Sequence, residues 1–350
     1  MRTALITIFA SLLLASCTVK QGGDVPATNL AGTIIHESEA YLPGKIALTH
    51  GDTILEVSSH TDSMLNIVGF VGDTLTVIDS FGSYGSGPDE FIDAKAAMTP
   101  SGDYVILDVP SGTRIYTIPR GSEHSRSQWS HVSMDTLQMM GSEFVAINDS
   151  CMLIASAPFD CSNSIFSIID FKNGKYSPTD FWPDDGYSGP PLPKSYLYNS
   201  NATLRTNGNG RYFYSALYRK YAVIFSLDST HIDIISTLID EPATYSSRND
   251  GLMPTLHHLD GHIIRPTSNE SHIYLLHCRK TADGSIAKSM FENRGGDEID
   301  VYDWNGNLIK HYILDRLGFY IVTNRSGDSL YLLSENPDSG ANEWVRYEIE

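Results

Sequence analysis

The chain has 350 residues, of which 24 are basic and 42 acidic, so its formal net charge at pH 7 is −18. Hydrophobic residues make up 41% of the sequence and charged residues 19%, which supports a packed core and excludes a chain that is disordered throughout. The acidity argues against nucleic acid as a partner, because binding to phosphates depends on Lys and Arg side chains.

Residues 1–16 have the pattern of a secretory signal peptide. Arg2 supplies a positive charge before an uncharged, mostly apolar stretch, Ala4–Ala15, which is too short to cross a bilayer comfortably. The stretch ends in Leu14-Ala15-Ser16-Cys17, which resembles the lipobox at which bacterial lipoproteins are cleaved and acylated. We therefore expect the signal peptide to be removed and Cys17 to carry the lipid that anchors the protein to a membrane.

Residues 17–40 have the composition of a linker, with Gly22, Gly23 and Pro26 and no regular hydrophobic period. They predict a flexible tether between the lipid and the folded domain. The residue after the acylated cysteine is Thr18 rather than the aspartate that favours retention in the inner membrane. The predicted location is therefore the outer membrane, with the domain facing the periplasm or the cell surface.

Beyond residue 40, short apolar runs rich in Val, Ile, Tyr and Phe alternate with Gly, Asn, Asp and Pro, as in successive β-strands and turns. Asn173-Gly174 and Asn305-Gly306 lie between such runs, and Asn-Gly favours tight hairpin turns. A flat sheet built from so many hairpins would have open edges, so the chain must close into a barrel or break into blades. Residues 41–350 are predicted to form a single all-β domain, a β-propeller, with six blades of antiparallel strands.

Two stretches resemble the TolB-like six-bladed β-propellers of Bacteroidetes lipoproteins. Residues 80–91, SFGSYGSGPDEF, resemble a glycine-rich signature that closes an early blade, and residues 297–310, DEIDVYDWNGNLIK, resemble a hairpin of the same family. Phe81 stands where the family usually has a basic residue, and Asp89 where glycine is common. The resemblance runs loosely from residue 45 to 350 and implies the propeller fold, but the family has no assigned activity and implies no ligand site. In the first stretch, Glu90 is expected to accept hydrogen bonds from backbone N–H groups.

Four stretches are too long for hairpin turns and should lie on the rim of the propeller, where binding loops are found: residues 120–138, 181–202, 240–259 and 281–297. The second of them combines aromatic side chains with prolines, which can make a rigid surface for a sugar or a peptide. Four of its residues are predicted to bind a ligand: Trp182, Tyr187, Tyr196 and Tyr198. The alternative is a loop whose aromatic side chains pack against its neighbours.

Histidines cluster at His257, His258 and His262, and a helix would bring the last two to one face at the spacing of zinc ligands. Gly261 and the strand-like residues after it favour a polar rim loop over a metal site. No cofactor is predicted, and the sequence has no Asp-x-Asp-x-Asp-Gly calcium loop. Calcium is expected only if the protein is an enzyme that uses the central channel of the propeller.

Three cysteines follow Cys17. Cys151 and Cys161 are close enough in sequence for a disulfide in an oxidising compartment, whereas Cys278 lies in an apolar run and is expected to be a buried thiol. Several Asp-Ser/Thr-apolar triplets resemble the O-glycosylation sequon of exported Bacteroidetes proteins, and each fits a turn before a strand equally well. These triplets begin at Asp52, Asp62, Asp73, Asp135 and Asp328.

The preferred function is a non-catalytic, lipid-anchored envelope propeller that binds a protein or glycan partner through its rim loops. The sequence has no Gly-x-Ser-x-Gly nucleophile motif, and no catalytic residue is predicted. The alternative is a calcium-dependent hydrolase or lyase that uses the central channel of the propeller. A third interpretation is a scaffold that acts only in envelope assembly.

Overall fold

The computed structural model describes fourteen stretches of the chain: residues 25–37, 45–50, 53–57, 63–87, 90–108, 114–134, 143–155, 164–189, 191–199, 201–248, 251–254, 261–289, 291–336 and 338–350. The predicted signal peptide and Cys17 lie outside them, as do Cys161, His257 and His258. Within these ranges, no helix is long and apolar enough to span a membrane.

The first part of the chain forms short N-terminal strands and one sheet. Three short strands come first: β1 (Ala27–Leu30), β2 (Thr33–Ile34) and β3 (His36–Glu37). The first sheet has four antiparallel strands: β4 (Lys45–His50), β5 (Thr53–Val57), β6 (Leu65–Val71) and β7 (Thr74–Phe81). A parallel pair of very short strands follows: β8 (Ser83–Tyr84) and β9 (Glu90–Phe91). Beside this pair, Glu90 Oε2 accepts a hydrogen bond from the Gly87 N–H at 2.8 Å, which confirms the role expected for Glu90.

Three further antiparallel sheets follow in chain order. The second consists of β10 (Ala94–Met98), β11 (Tyr104–Asp108), β12 (Arg114–Ile118) and, after a 3-10 turn at Arg126–Gln128, β13 (Ser130–Ser133). The third consists of β14 (Glu143–Ala146), β15 (Cys151–Ala155), β16 (Phe166–Asp170) and β17 (Lys175–Pro178). A helix, α1 (Pro191–Asn199), precedes the fourth sheet, which consists of β18 (Thr203–Thr206), β19 (Arg211–Ala216), β20 (Tyr221–Asp228) and β21 (His231–Asp240).

The rest of the chain forms a hairpin and one large sheet. The hairpin is β22 (Tyr245–Arg248) with β23 (Gly251–Pro254), and the strands of the large sheet are β24 (Ile263–Ser268), β25 (His272–Cys278), β26 (Gly296–Asp303), β27 (Leu308–Thr323), β28 (Ser329–Glu335) and β29 (Asn342–Glu348). The 16-residue β27 serves both halves of this sheet, since its first part pairs with β26 and its last part with β28.

Hydrophobic clusters join each sheet to the next. Each of these clusters contains residues of two successive sheets: Leu65 and Ile106, Leu107 and Met152, Leu153 and Tyr214, Ile224 and Leu275, and Phe70 and Trp344. The last of these closes a ring, because Phe70 belongs to the first sheet and Trp344 to the final strand. The all-β class and the β-propeller architecture are thereby confirmed. A count of six requires the large sheet to be counted as two blades that share β27, so the number of blades stays a prediction.

Residues 25–37 correct the predicted tether. They lie along the outer edges of three parts of the ring, with β1 on β27, β2 on β29 and β3 on β7. Ile35 is 3% exposed between the last strand and the first sheet, and the Gly32 N–H donates to the carboxylate of Asp315 at 3.3 Å. Strands of two to four residues show no hydrophobic period of their own, so the sequence pattern could not reveal them.

Cys278 is buried, as expected, and its position predicts an unreactive thiol. Burial raises the pKa of Cys278 to about 12, and only Arg265 opposes this. Because the thiolate is the reacting form, we expect iodoacetamide at pH 8 to alkylate Cys278 about a thousandfold more slowly in the native protein than in the unfolded chain. Peptide mass spectrometry after timed labelling measures this ratio, and equal rates in buffer and in guanidinium chloride would contradict it.

Candidate functional site

Two insertions meet on one face of the ring. The first insertion, residues 179–202, contains α1 and leads into β18, while the second insertion, residues 241–262, contains the β22–β23 hairpin and leads into β24. Both therefore precede the innermost strand of a sheet, and innermost strands enter the ring from the same face. Helix α1 contacts β23 of the second insertion and β19 of the fourth sheet.

A buried ion pair of the first insertion accepts a hydrogen bond from the second. Lys194 Nζ lies 2.9 Å from Asp185 Oδ1, and both side chains are only 2% exposed. The second carboxylate oxygen of Asp185 accepts hydrogen bonds from the hydroxyls of Tyr245 at 2.7 Å and Tyr198 at 3.2 Å. Lys194 Nζ also lies 4.8 Å from the centre of the Trp182 ring, within reach of a cation–π contact. We call these five residues the Asp185–Lys194 cluster.

Hydrogen bonding keeps the buried carboxylate ionised. Burial raises the pKa of Asp185, but the hydrogen bonds from Tyr245 and Lys194 outweigh it, so the pKa lies below its usual value. Burial and the contact with Asp185 raise the pKa of Tyr245, so this phenol remains a hydrogen-bond donor. The cluster is therefore a charged, closed network that fixes the position of α1.

The four predicted ligand-binding aromatics divide between the inside and the outside of this structure. Tyr198 and Trp182 belong to the Asp185–Lys194 cluster, and the Tyr187 ring packs 4.4 Å from that of Tyr245. Tyr196, by contrast, is 39% exposed. Tyr198 is buried, and Trp182 and Tyr187 are partly buried against their neighbours, as the packing alternative expects. Tyr196 is the most exposed of the four, and its binding of a ligand stays a prediction.

The division follows from a helix that the sequence pattern did not predict. Lys194 and Tyr198 are four residues apart on α1 and share its buried face, while Tyr196 lies between them and points away. The prolines of this stretch were interpreted as part of a rigid rim loop, but Pro191 and Pro193 lie in the first turn of the helix, where the missing N–H groups cost nothing.

A cleft opens where the fourth sheet meets the large sheet. It is small, with a cavity volume of about 30 Å³. Its polar lining residues are Asn201, Ser215, Lys220, Tyr221, Glu241 and His262, and Ile239 and Ile264 are among its apolar ones. We call it the seam cleft. Tyr196 adjoins it through Tyr218: the two tyrosine rings are 5.8 Å apart, and Asn201 Nδ2 donates to the Tyr218 hydroxyl at 2.7 Å.

Two residues of the seam cleft have an unusual backbone conformation. Among the described residues, only Asn201, Lys220 and Ser229 have a positive φ without being glycine, and the first two line the seam cleft. Asn tolerates this conformation, but for Lys220, with φ of 47°, it is unfavourable. Strained residues of this kind are retained where surrounding contacts impose them, often at binding sites.

The charges of the seam cleft are balanced. Lys220 Nζ lies 3.6 Å from Glu241 Oε2, and the Glu241 N–H donates to the Lys220 carbonyl at 3.2 Å. On the other wall, His262 Nε2 lies 3.2 Å from His277 Nδ1. The other ring nitrogen of His277, Nε2, is 2.9 Å from Asp300 Oδ2. Burial raises the pKa of Asp300, but hydrogen bonds from His277 and His311 outweigh it and lower the pKa overall.

Of the three predicted histidines, only His262 can be placed, and it contacts His277. Within the described ranges, no group of three or more His, Cys, Asp or Glu side chains is arranged to hold a metal ion. Cys151 is described without its predicted disulfide partner, Cys161, so that pairing stays a prediction.

No protein-family model matches the chain, and no curated protein matches it. The chain is similar to the WD40 domain of coronin from Toxoplasma gondii, with a TM-score of 0.44 and 10% identity over 85% of this chain and 66% of that one, just under two thirds of its length. It is also similar to an oligogalacturonate lyase in complex with manganese, with a TM-score of 0.42 and 9% identity over 85% and 74% of the two chains. For a functionally unknown protein from Desulfotomaculum acetoxidans, the TM-score is 0.37 and the identity 16% over 85% and 76%. Similarities at this level carry no argument about ligand or activity.

Sequence reasoning found Tyr196 but missed Asn201, Lys220 and Glu241. Lys220 directly precedes β20, where an apolar run predicted a strand, whereas Asn201 and Glu241 lie within the two predicted insertions, 181–202 and 240–259. Turn-forming residues next to a long insertion were the available signal, although it does not distinguish a binding residue from an ordinary turn.

Proposed function

We propose that this protein is a non-catalytic, lipid-anchored β-propeller of the bacterial envelope that binds a glycan or protein partner on the face formed by the two insertions. Acylation at Cys17, residence in the outer membrane and membership of the TolB-like family belong to this proposal. The calcium-dependent channel enzyme stays the alternative, and none of the contacts described above is specific to it.

One observation carries the proposal: an exposed tyrosine, in contact with a partly buried one, stands beside a cleft on a rigid support. Tyr196 is 39% exposed next to Tyr218, and the helix that presents it is held by the buried Asp185–Lys194 pair. An aromatic side chain that is held in place loses little conformational entropy on binding, which is why such residues dominate binding surfaces.

We expect Tyr196→Ala to weaken partner binding about tenfold, because truncation removes the exposed ring without disturbing the buried face of α1. The measurement is biolayer interferometry of the full-length, detergent-solubilised protein against a panel of envelope and plant polysaccharides. A photo-crosslinking amino acid at position 196, in cells, tests for a protein partner.

Tyr84→Ala is the matched control, since Tyr84 is 65% exposed but belongs to the short β8–β9 pair rather than to the insertions. Its binding should equal that of the unmodified protein. The proposal fails if Tyr196→Ala binds as Tyr84→Ala does and crosslinking from position 196 yields nothing that position 84 does not.

A further inference from the structure

We propose that one mouth of the central channel is a binding site for a carboxylate group, with Arg265 and Arg205 as its cations and Tyr320 as a further hydrogen-bond donor. The channel mouth is the end of the channel at which the innermost strands begin, on the face of the two insertions. This site goes beyond the proposed function, since none of its residues belongs to either insertion. The carboxylate can belong to a uronic acid or to the C-terminus of a peptide.

The innermost strands carry positive charge in a chain that is acidic overall. They are β4, β10, β14, β18, β24 and the part of β27 that pairs with β28, which begins at Gly318. As far as the structure describes these strands, they contain four Lys or Arg residues and one carboxylate, whereas the whole chain has 24 basic and 42 acidic residues. The five are Lys45, Lys95, Glu143, Arg205 and Arg265. A channel with this charge attracts anions and repels the calcium ion of the enzymatic alternative.

Side chains from four innermost strands converge at the channel mouth. Glu143 is the first residue of β14, Arg205 the third of β18 and Arg265 the third of β24. Arg205 Nη1 lies 2.9 Å from Glu143 Oε2. Tyr320, on the inner part of β27, hydrogen-bonds to Arg205; burial raises the pKa of this phenol, and the charges of Arg205 and Arg265 offset part of that effect. The four side chains therefore border one space.

Arg265 provides a cation without a partner at this place. It is exposed although it belongs to an innermost strand, so the channel mouth is open to water there. Within the described part of the chain, its guanidinium makes no hydrogen bond or ion pair. Arg205, by contrast, is balanced by Glu143, so the four residues together keep one uncompensated positive charge. Because a guanidinium only donates, Tyr320 accepts from Arg205, and its own O–H is left to donate.

The uncompensated charge and the donor geometry select a carboxylate. A planar guanidinium donates two parallel N–H bonds to the two oxygens of a carboxylate. One carboxylate balances the single free charge of the four residues, whereas a phosphate dianion brings a second negative charge beside Glu143. The Tyr320 O–H can complete the hydrogen bonding of the ligand, and a neutral sugar leaves the charge of Arg265 unanswered.

Saturation-transfer difference NMR of the full-length protein in deuterated detergent tests the site, with acetate as the smallest probe. We expect acetate to bind, and inorganic phosphate, measured by competition at constant ionic strength, to bind at least about threefold more weakly. Arg265→Gln should weaken acetate binding about tenfold, and Arg265→Lys, which keeps the charge but not the fork, should lie between the two. Competition by D-galacturonate or by N-acetylglycine shows whether the source is a sugar or a peptide C-terminus.

Phenylglyoxal labelling, read by peptide mass spectrometry, locates the bound anion. Saturating acetate should slow modification of Arg265 at least about threefold and leave that of Arg325 unchanged. Arg325 is the matched control, because it lies on the turn between β27 and β28, where it is paired with Glu270 and its side chain is 73% exposed. Arg325→Gln should bind acetate as the unmodified protein does.

The inference is overturned if acetate does not bind, if phosphate binds as tightly as acetate, or if Arg265→Gln and Arg325→Gln bind acetate alike. Its failure is distinguishable from failure of the proposed function. If no carboxylate binds while position 196 crosslinks to a partner, the proposed function stands alone. If acetate protects Arg265 while Tyr196→Ala behaves as its control does, only the proposed function fails.

Discussion

Asp185→Ala is expected to destabilise the first insertion by about 3–5 kcal/mol, because it leaves the charge of Lys194 buried without its carboxylate. Both side chains are 2% exposed, so water cannot replace the lost partner without opening the structure. The hydroxyls of Tyr198 and Tyr245 lose their acceptor at the same time. Hydrogen-exchange mass spectrometry of residues 191–199 measures the local loss, and guanidinium unfolding followed by tryptophan fluorescence measures the global one.

The double variant Asp185→Leu with Lys194→Met is the control for this prediction. Replacing both charges by apolar side chains of similar size removes the desolvation cost together with the attraction, so it should destabilise α1 much less than Asp185→Ala alone. Equal exchange rates for α1 in Asp185→Ala and in the unmodified protein would show that the ion pair does not support the helix.

The same carboxylate gives the insertion a defined response to acid. Because the pKa of Asp185 is lower in the folded state than the value of about 3.9 in an unfolded chain, its ionisation stabilises the fold above that value. This contribution is lost as the pH falls through the folded-state pKa. Protection of α1 in the unmodified protein should therefore begin to fall toward that of Asp185→Asn below about pH 4, and should equal it once the pH is below the folded-state pKa.

Trp344→Ala is expected to destabilise the whole ring by about 3–5 kcal/mol, the usual cost of emptying a buried Trp site. Trp344 is 1% exposed on the last strand, and its ring lies 5.6 Å from that of Phe70 in the first sheet. Phe70 in turn stacks on Tyr331 at 3.7 Å. The cavity would therefore open at the contact that closes the propeller. Chemical denaturation and the melting temperature measure the effect.

Trp344→Phe is the control, because it removes the indole but keeps an aromatic ring at the contact that closes the propeller. Within the described part of the chain, the Trp344 indole N–H is buried without a hydrogen-bond partner, so phenylalanine keeps most of the packing and removes an unsatisfied donor. We expect it to cost less than about 2 kcal/mol. If Trp344→Ala were no more destabilising than Trp344→Phe, closure of the ring would not depend on this contact.

The agreement between sequence and structure concerns local features. The apolar run that includes Tyr274 to Leu276 forms a strand buried on both faces, because a short continuous apolar run is a property of a few consecutive residues. The Asn305-Gly306 turn needed only a residue that tolerates a positive φ, and Gly306 adopts 83°. Trp304, beside that turn, packs into the cluster that joins the fourth sheet to the large one.

The disagreements concern contacts between distant residues. Helix α1 has nine residues, and a helix of that length is marginal in isolation, so its stability depends on Asp185 and on Tyr245 of the other insertion. Residues 25–37 form strands because the outer edges of the ring are available to them, and Gly32 bonds to Asp315, 283 residues away. Neither partner can be identified from local sequence.

The sequence by itself determined the secondary-structure class and the closed all-β architecture, because strand period, turn residues and the need to cover sheet edges act over short distances or on the chain as a whole. Only the tertiary structure decided which of four aromatic side chains faces solvent, and that Asn201, Lys220 and Glu241 share a cleft with His262. Those outcomes depend on which segments pack together, and packing is decided by shape and charge between residues far apart in the chain.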